Sequence, residues 1–233
     1  MKRLQIVTVA LLVLAPAAAF ALPITIDNFE DGTTQGWFVP NGGVLGNHPS
    51  PPRNEPSGGP GGALDNYLAL TALGGTGTGS RLSVLNESQW TGNFSGISAI
   101  EMDVNNFTFG TGAALSLRLL FVNFPAAGPP TDVAWTLTPI IVPANSGWMQ
   151  VRFDLSPANL FAPIGTVAGA LSDVNEFRLF HSVAPFFGGP GVGSEPVVAL
   201  LGVDNIAAVP EPATILLLGS GLIALSRRRR TRD

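Results

Sequence analysis

The sequence predicts an all-β protein, a two-sheet antiparallel β-sandwich of jelly-roll type, flanked by an N-terminal signal peptide and a C-terminal hydrophobic helix. Three observations carry this. Apolar residues recur at every second position in many short runs, the period of a half-buried strand. Glycine (28) and proline (20) make up about a fifth of the 233 residues, which suits short strands joined by many turns. No stretch of the body keeps a 3.6-residue period, whereas apolar-in, polar-out alternation is what two facing sheets require.

In chain order, the first 21 residues read as a secretory signal peptide. Lys2 and Arg3 form a positive start, Ile6 to Leu14 an apolar stretch, and Ala19-Phe20-Ala21 a small-residue cleavage site. The apolar run is about half of the ~20 residues that span a bilayer. Export implies an oxidising compartment, yet the chain has no cysteine, so disulfides are excluded and the fold must rest on its core or on a metal.

A body of residues 22–207 follows. Its opening run is Ile24–Phe29, then come Tyr67–Leu73 and Arg81–Leu85. Ile100, Met102 and Val104 alternate with Glu101 and Asp103; Leu115, Leu117, Leu119 and Phe121 alternate with Ser116 and Arg118. Val133, Trp135 and Leu137 form a stripe, and Met149, Val151, Phe153 and Leu155 alternate with Gln150, Arg152 and Asp154. Asn175–His181 and the stripe Val197, Ala199, Leu201, Val203 complete about nine strands. Turn-rich separators lie at Pro40–Gly62, Gly74–Gly79, Pro125–Pro130 and Pro185–Pro196.

Charge excludes one large class of function. From Leu22 to Ala208 five arginines stand against 14 acids with no lysine, a net charge of −9, so the body has no phosphate-binding patch and no nucleic acid partner is expected. The glycine loops Gly74–Ser80 and Gly188–Ser194 lack the G-K-[ST] ending of a phosphate loop and a following helix. The two histidines, His48 and His181, build neither a zinc site nor a Ser-His-Asp order. No catalytic residues are assigned. A polysaccharide hydrolase using an acid pair, Glu101 with Asp103 or Glu176 near His181, is the alternative to a binding protein.

Residues 208–233 are more specific. Val209-Pro210-Glu211-Pro212 precedes an apolar stretch from Ala213 to Leu225, then Ser226 and the run Arg227, Arg228, Arg229, Arg230. Thirteen helical residues reach roughly 20 Å, short of a ~30 Å hydrocarbon core, and the arginines would stay cytoplasmic. These three ordered features resemble the PEP-CTERM sorting signal of Gram-negative bacteria that make extracellular polysaccharide. The resemblance implies an exosortase-type membrane enzyme as partner, cleavage near the box, and passage from the inner membrane to the cell surface or extracellular matrix. The same tail is also labelled as the C-terminal region of ice-binding proteins. An ice-binding surface would need a flat threonine array, and Thr76 and Thr78 in a short glycine loop do not supply one.

The body carries a second resemblance. Asp27-Asn28-Phe29-Glu30-Asp31-Gly32, with Gly36-Trp37 after it, resembles the opening strand of jelly-roll carbohydrate-binding modules; Val203-Asp204-Asn205-Ile206 resembles their last strand, and Gly147-Trp148 through Asp154-Leu155-Ser156 an inner one. The resemblance implies adjacent first and last strands and a structural calcium held by Glu30 and Asp204, with Asp27 and Asp31 as contributors. Calcium takes six to eight oxygens, so carboxylates with loop carbonyls suit it. It also implies glycan binding. Of the aromatic candidates Trp37, Tyr67, Trp90, Trp135 and Trp148, Trp90 and Trp148 are the expected stacking platforms: Trp90 lies in the polar segment Gln89–Asn93, and Trp148 stands opposite its strand's apolar stripe. The expected protein is a non-enzymatic, exported surface or matrix protein with extracellular polysaccharide as ligand.

Overall fold

The computed structural model describes residues 26–39, 51–74, 81–107, 112–184 and 195–211. The signal peptide, His48, the two glycine loops beyond Gly74 and Ala184, the C-terminal apolar stretch and the arginine run lie outside the described residues.

Among the described residues, thirteen strands form two antiparallel sheets. They are β1 Ile26–Asp27, β2 Trp37–Phe38, β3 Arg53–Glu55, β4 Tyr67–Leu73, β5 Ser83–Asn86, β6 Ile97–Phe107, β7 Leu115–Asn123, β8 Asp132–Thr136, β9 Ile140–Val142, β10 Met149–Asp154, β11 Leu160–Ile164, β12 Glu176–His181 and β13 Val198–Pro210. The first sheet runs β10-β6-β13-β4-β3, and β1 pairs with β13; the second runs β11-β8-β7-β12-β5-β2, with β9 on β7. All nine expected strands are present. First and last strands are neighbours, Ile26 facing Ala207 and Asp27 facing Ile206.

Period-2 alternation decides which residues fill the space between the sheets. Leu68, Leu70, Met102, Val104, Val151, Phe153, Leu201 and Val203 from the first sheet meet Val84, Leu117, Leu119, Phe121, Phe177 and Leu179 from the second in one buried cluster. Its densest part is aromatic. Phe177 lies 5.6 Å from Trp37, 5.2 Å from Trp90 and 5.3 Å from Phe121, ring centre to ring centre.

A single carboxylate organises that aromatic region. Asp27 on β1 is 2% exposed and accepts hydrogen bonds from the indole N–H of Trp37 and of Trp90, both at 2.6 Å, and from the Gln89 amide at 2.6 Å. β1 belongs to the first sheet, while Trp37 sits on β2 of the second and Trp90 in the turn after β5. Burial pushes the Asp27 carboxyl up, and its three donors oppose that shift. Two expectations are thereby corrected. Trp90 is 1% exposed, so it presents no face to a sugar, and Asp27 spends both oxygens on these donors rather than turning toward Glu30.

The second sheet departs from the expected polar outer face. Ser116, Arg118, Glu176 and Arg178 are all buried there, beside a small apolar cluster of Leu120, Val122, Val133, Trp135 and Phe180. Arg118 donates to four backbone carbonyls, those of Thr136 (2.8 Å), Leu137 (2.5 Å), Ser182 (3.0 Å) and Val183 (3.2 Å). The guanidinium thus holds the chain leaving β8 to the chain leaving β12, and burial lowers its pKa.

Four strands and a helix were not expected. β3 falls inside the proline-rich separator, and β2, β9 and β11 are short; α1, Val167–Ser172, is capped by Thr166, whose hydroxyl accepts from Gly169 N at 2.9 Å. A strand with a neighbour on one side only need not carry an apolar stripe, and proline is tolerated there, as Pro163 is in β11.

Replacing Asp27 by alanine leaves two buried indole N–H groups without an acceptor. At about 1–3 kcal/mol per orphaned donor, the substitution should lower unfolding free energy by roughly 3–5 kcal/mol, read as the urea midpoint of tryptophan fluorescence. A loss below about 1 kcal/mol would show that the indoles find other acceptors.

Candidate functional site

Because Leu68, Met102, Val104, Val151, Leu201 and Val203 point into the core, their alternates form the outer face of the first sheet. Register places Gln150, Asp103 and Asp204 in one row across β10, β6 and β13, and Asn105, Gly202, Ala69 and Arg53 in another across β6, β13, β4 and β3.

An aromatic shelf stands on the second row. The Trp148 ring lies 5.3 Å from Tyr67 and 6.1 Å from Phe107, edge to face in both cases. Its indole N–H donates to Gly58 O at 2.8 Å, so the ring is held at its edge while it remains partly exposed. Gly202 makes the close approach possible: a Cβ there would stand 2.8 Å from the Trp148 ring and 2.9 Å from the Phe107 ring. The same outer face carries Gln150, the Arg152–Glu101 pair at 2.5 Å and the Arg53–Glu55 pair. Of the five aromatic candidates, Trp37, Trp90 and Trp135 are buried and Trp148 and Tyr67 make the shelf. Phe107 was missed. It ends a strand whose apolar stripe is on the other face, and only register shows that it meets Trp148.

An acidic corner adjoins the shelf two residues along β13. Asp204 is 1% exposed, and burial pushes its carboxyl up to about 7; the Asn205 backbone N–H opposes the shift, while Asp65, Asp103 and Glu30 add to it. Asn205 holds a left-handed backbone (φ 50°) at a bulge, a conformation asparagine tolerates, and its side-chain amide donates to Asp103 (2.9 Å) and Asp204 (3.3 Å). Glu30 follows Phe29, itself left-handed at φ 56°, and accepts from Asn66 N at 2.8 Å. Asp65 folds its own loop, accepting from Gly61 N at 2.5 Å.

The four expected calcium ligands therefore separate. Glu30 and Asp204 share the corner with Asp65 and Asp103. Asp31 is directed to the Thr33 N–H (2.8 Å) and hydroxyl (2.9 Å), and Asp27 to the indoles. Among the described residues no group of three or more His, Cys, Asp or Glu side chains converges closely enough to hold a metal by itself. A cation at this corner would need carbonyl or water oxygens to complete its shell, as calcium accepts.

The acids considered for hydrolysis are engaged elsewhere. Glu101 pairs with Arg152, and buried Glu176 pairs with Arg178 at 2.5 Å. His181 Nδ1 accepts from Ser116 N at 2.9 Å, and burial lowers its pKa. Away from the shelf, a cavity of about 340 Å³ is lined by Ile97, Leu155, Val167 and Leu171, with Glu211 among its lining residues.

Residues 208–230 match the PEP-CTERM protein-sorting motif. No curated protein matches the chain. Among solved structures, it is similar to a family 11 carbohydrate-binding module from Clostridium thermocellum in complex with a β-1,3-1,4-mixed-linked tetrasaccharide, at 13% identity over 82% of this chain and 97% of that one, TM-score 0.48. It is also similar to the tandem CBM22 domains of Paenibacillus barcinonensis Xyn10C (16% identity, 83% and 48% covered, TM-score 0.47) and to an exo-β-agarase (16%, 81% and 25%, TM-score 0.49). Within the described residues no helix is long and apolar enough to cross a membrane.

Asp204 makes the acidic corner pH-sensitive. Unfolded, its carboxyl releases the proton near 3.8; folded, it holds it to about 7, so between those values the native state binds more protons and stability falls as pH rises. In chelator, wild type should lose on the order of a few kcal/mol relative to Asp204→Asn from pH 4.5 to pH 8. Parallel pH profiles for the two proteins would remove the corner's role in titration.

Proposed function

We propose that this is an exported, non-enzymatic protein of the cell surface or extracellular matrix, cut at its C-terminal signal by an exosortase-type membrane enzyme, whose body binds polysaccharide on the outer face of the first sheet. The sorting motif at 208–230 supports the route. The aromatic shelf of Trp148, Tyr67 and Phe107 carries the binding.

A pyranose ring presents C–H groups on one face and hydroxyls at its rim. Trp148 offers a partly exposed indole already fixed by Gly58 O and two neighbouring rings, so little side-chain freedom is lost on stacking. Gln150 and the two Arg–Glu pairs supply rim contacts. A net charge of −9 from Leu22 to Ala208 favours a neutral glycan over a polyanionic one. The engagement of Glu101 and Glu176 with arginines favours binding over hydrolysis.

Calcium at the acidic corner is part of the same proposal. Asp204 and Glu30 repel in the folded chain, and a cation relieves that repulsion without the proton Asp204 otherwise keeps.

Two measurements test these statements. On purified protein, Trp148→Ala should weaken binding to a responsive neutral β-glucan about tenfold or more while melting within a few degrees of wild type. Unchanged affinity would move binding off the shelf, and release of reducing sugar by the wild-type sample would make the protein a hydrolase. At neutral pH, calcium at 100-fold saturation should raise the melting midpoint by roughly 5–10 °C over chelator, corresponding to about 2.7 kcal/mol, and Asp204→Asn should remove most of that gap. Coincident curves would leave Asp204 to its proton alone.

A further inference from the structure

The last strand does not stop where the sorting motif starts. The motif begins at residue 208, and β13 runs to Pro210, so the two overlap. Val209 faces Ala99 and Pro210 faces Ile97 on β6. Beyond the strand, Glu211 N donates to Gly96 O at 2.9 Å. The Ser98 hydroxyl donates to Val209 O at 3.1 Å and lies 3.4 Å from Pro210 O. Ala208 and Ile97 are each 4% exposed, so this end of the sheet is part of the packed body. Pro210 has no N–H to give, which is harmless at a strand end.

From these contacts, and resting on the proposed processing of the tail, we infer that the scissile bond lies C-terminal to Glu211 and that the mature protein keeps Val209, Pro210 and Glu211 as the last rungs of its first sheet. A protease takes its substrate as an extended strand whose backbone groups pair with the enzyme. The backbone of Val209–Glu211 is already committed to β6, Gly96 and Ser98. Cutting inside it requires peeling the strand end away and uncovering Ile97 and Ala208. A cut far enough beyond Glu211 that the enzyme pairs with residues after it requires neither. The first part of the box is thus structural in the finished protein, and the enzyme meets it as a folded edge rather than as a loose linker.

The intact mass of the processed full-length protein from its native host locates the cut. A C-terminus at Glu211 or later, without Arg227–Asp233, supports the inference. A C-terminus at Pro210 or earlier overturns it while leaving the sorting proposal standing; a retained arginine tail overturns both. A second variant separates cutting beyond the sheet from cutting after unzipping. Ala99→Cys with Val209→Cys places two thiols on facing strand positions in a chain with no other cysteine, a spacing that suits a disulfide. With the disulfide verified by mass after alkylation, the locked chain should be processed within about twofold of its reduced form. Where the disulfide does not form, Ser98→Ala serves instead: it loosens the strand end and should leave processing within about twofold of wild type. Tenfold slower processing of the locked chain, or several-fold faster processing of Ser98→Ala, would show that the strand must open first.

Discussion

The structure hangs on one buried carboxylate. Asp27 lies on β1, where the described chain begins and pairs with β13. Its Oδ2 takes the N–H groups of both Trp37 and Trp90, the two largest fully buried side chains among the described residues, and so fixes the aromatic centre of the core to the first sheet. In a chain without cysteine, this is how the first segment is joined to both sheets at once. The arrangement also accounts for where one acid of the opening motif is directed. An indole N–H in an apolar core needs an acceptor, and one carboxylate oxygen has lone pairs for two of them.

The outer face of the first sheet combines a rigid shelf with a strained acidic corner, and the loop before β4 joins them. Gly58 O receives the Trp148 indole, while Asp65 in the same loop bears electrostatically on Asp204. The loop is closed by its own bonds, Gly58 N to Gly62 O and Gly59 N to Asp65 O. What neutralises Asp204 therefore acts on a segment that also positions the shelf. Gly202 on β13 sits beneath Trp148 and Phe107, where any side chain would displace both rings.

Much of the fold was legible because a strand flanked on both sides must bury alternate residues. β4, β6, β7, β12 and β13 all show that stripe, and each lies inside a sheet. β2, β3 and β11 lie at sheet edges, and the sequence Arg53-Asn54-Glu55 carries no stripe at all. Polar outward positions were misjudged on the second sheet, because Arg118 satisfies itself with carbonyls and stays buried. At the site, Trp148 was legible from its position opposite the apolar stripe. Trp90 was not, because a polar neighbourhood in sequence does not reveal that Asp27, 63 positions away, reaches its N–H. Phe107 and Asp65 depend on register, and register is a property of pairs of strands rather than of either one.

Adjacent first and last strands bring both ends of the described body to one pole. β1 is antiparallel to β13 and pairs with its far end, so the body is entered at Ile26 and left at Glu211 on the same side of the first sheet. Gly202, under the shelf, is eight strand residues back from Pro210, roughly 26 Å at ~3.3 Å per residue. The shelf thus stands roughly that distance from the pole at which the described body is entered and left.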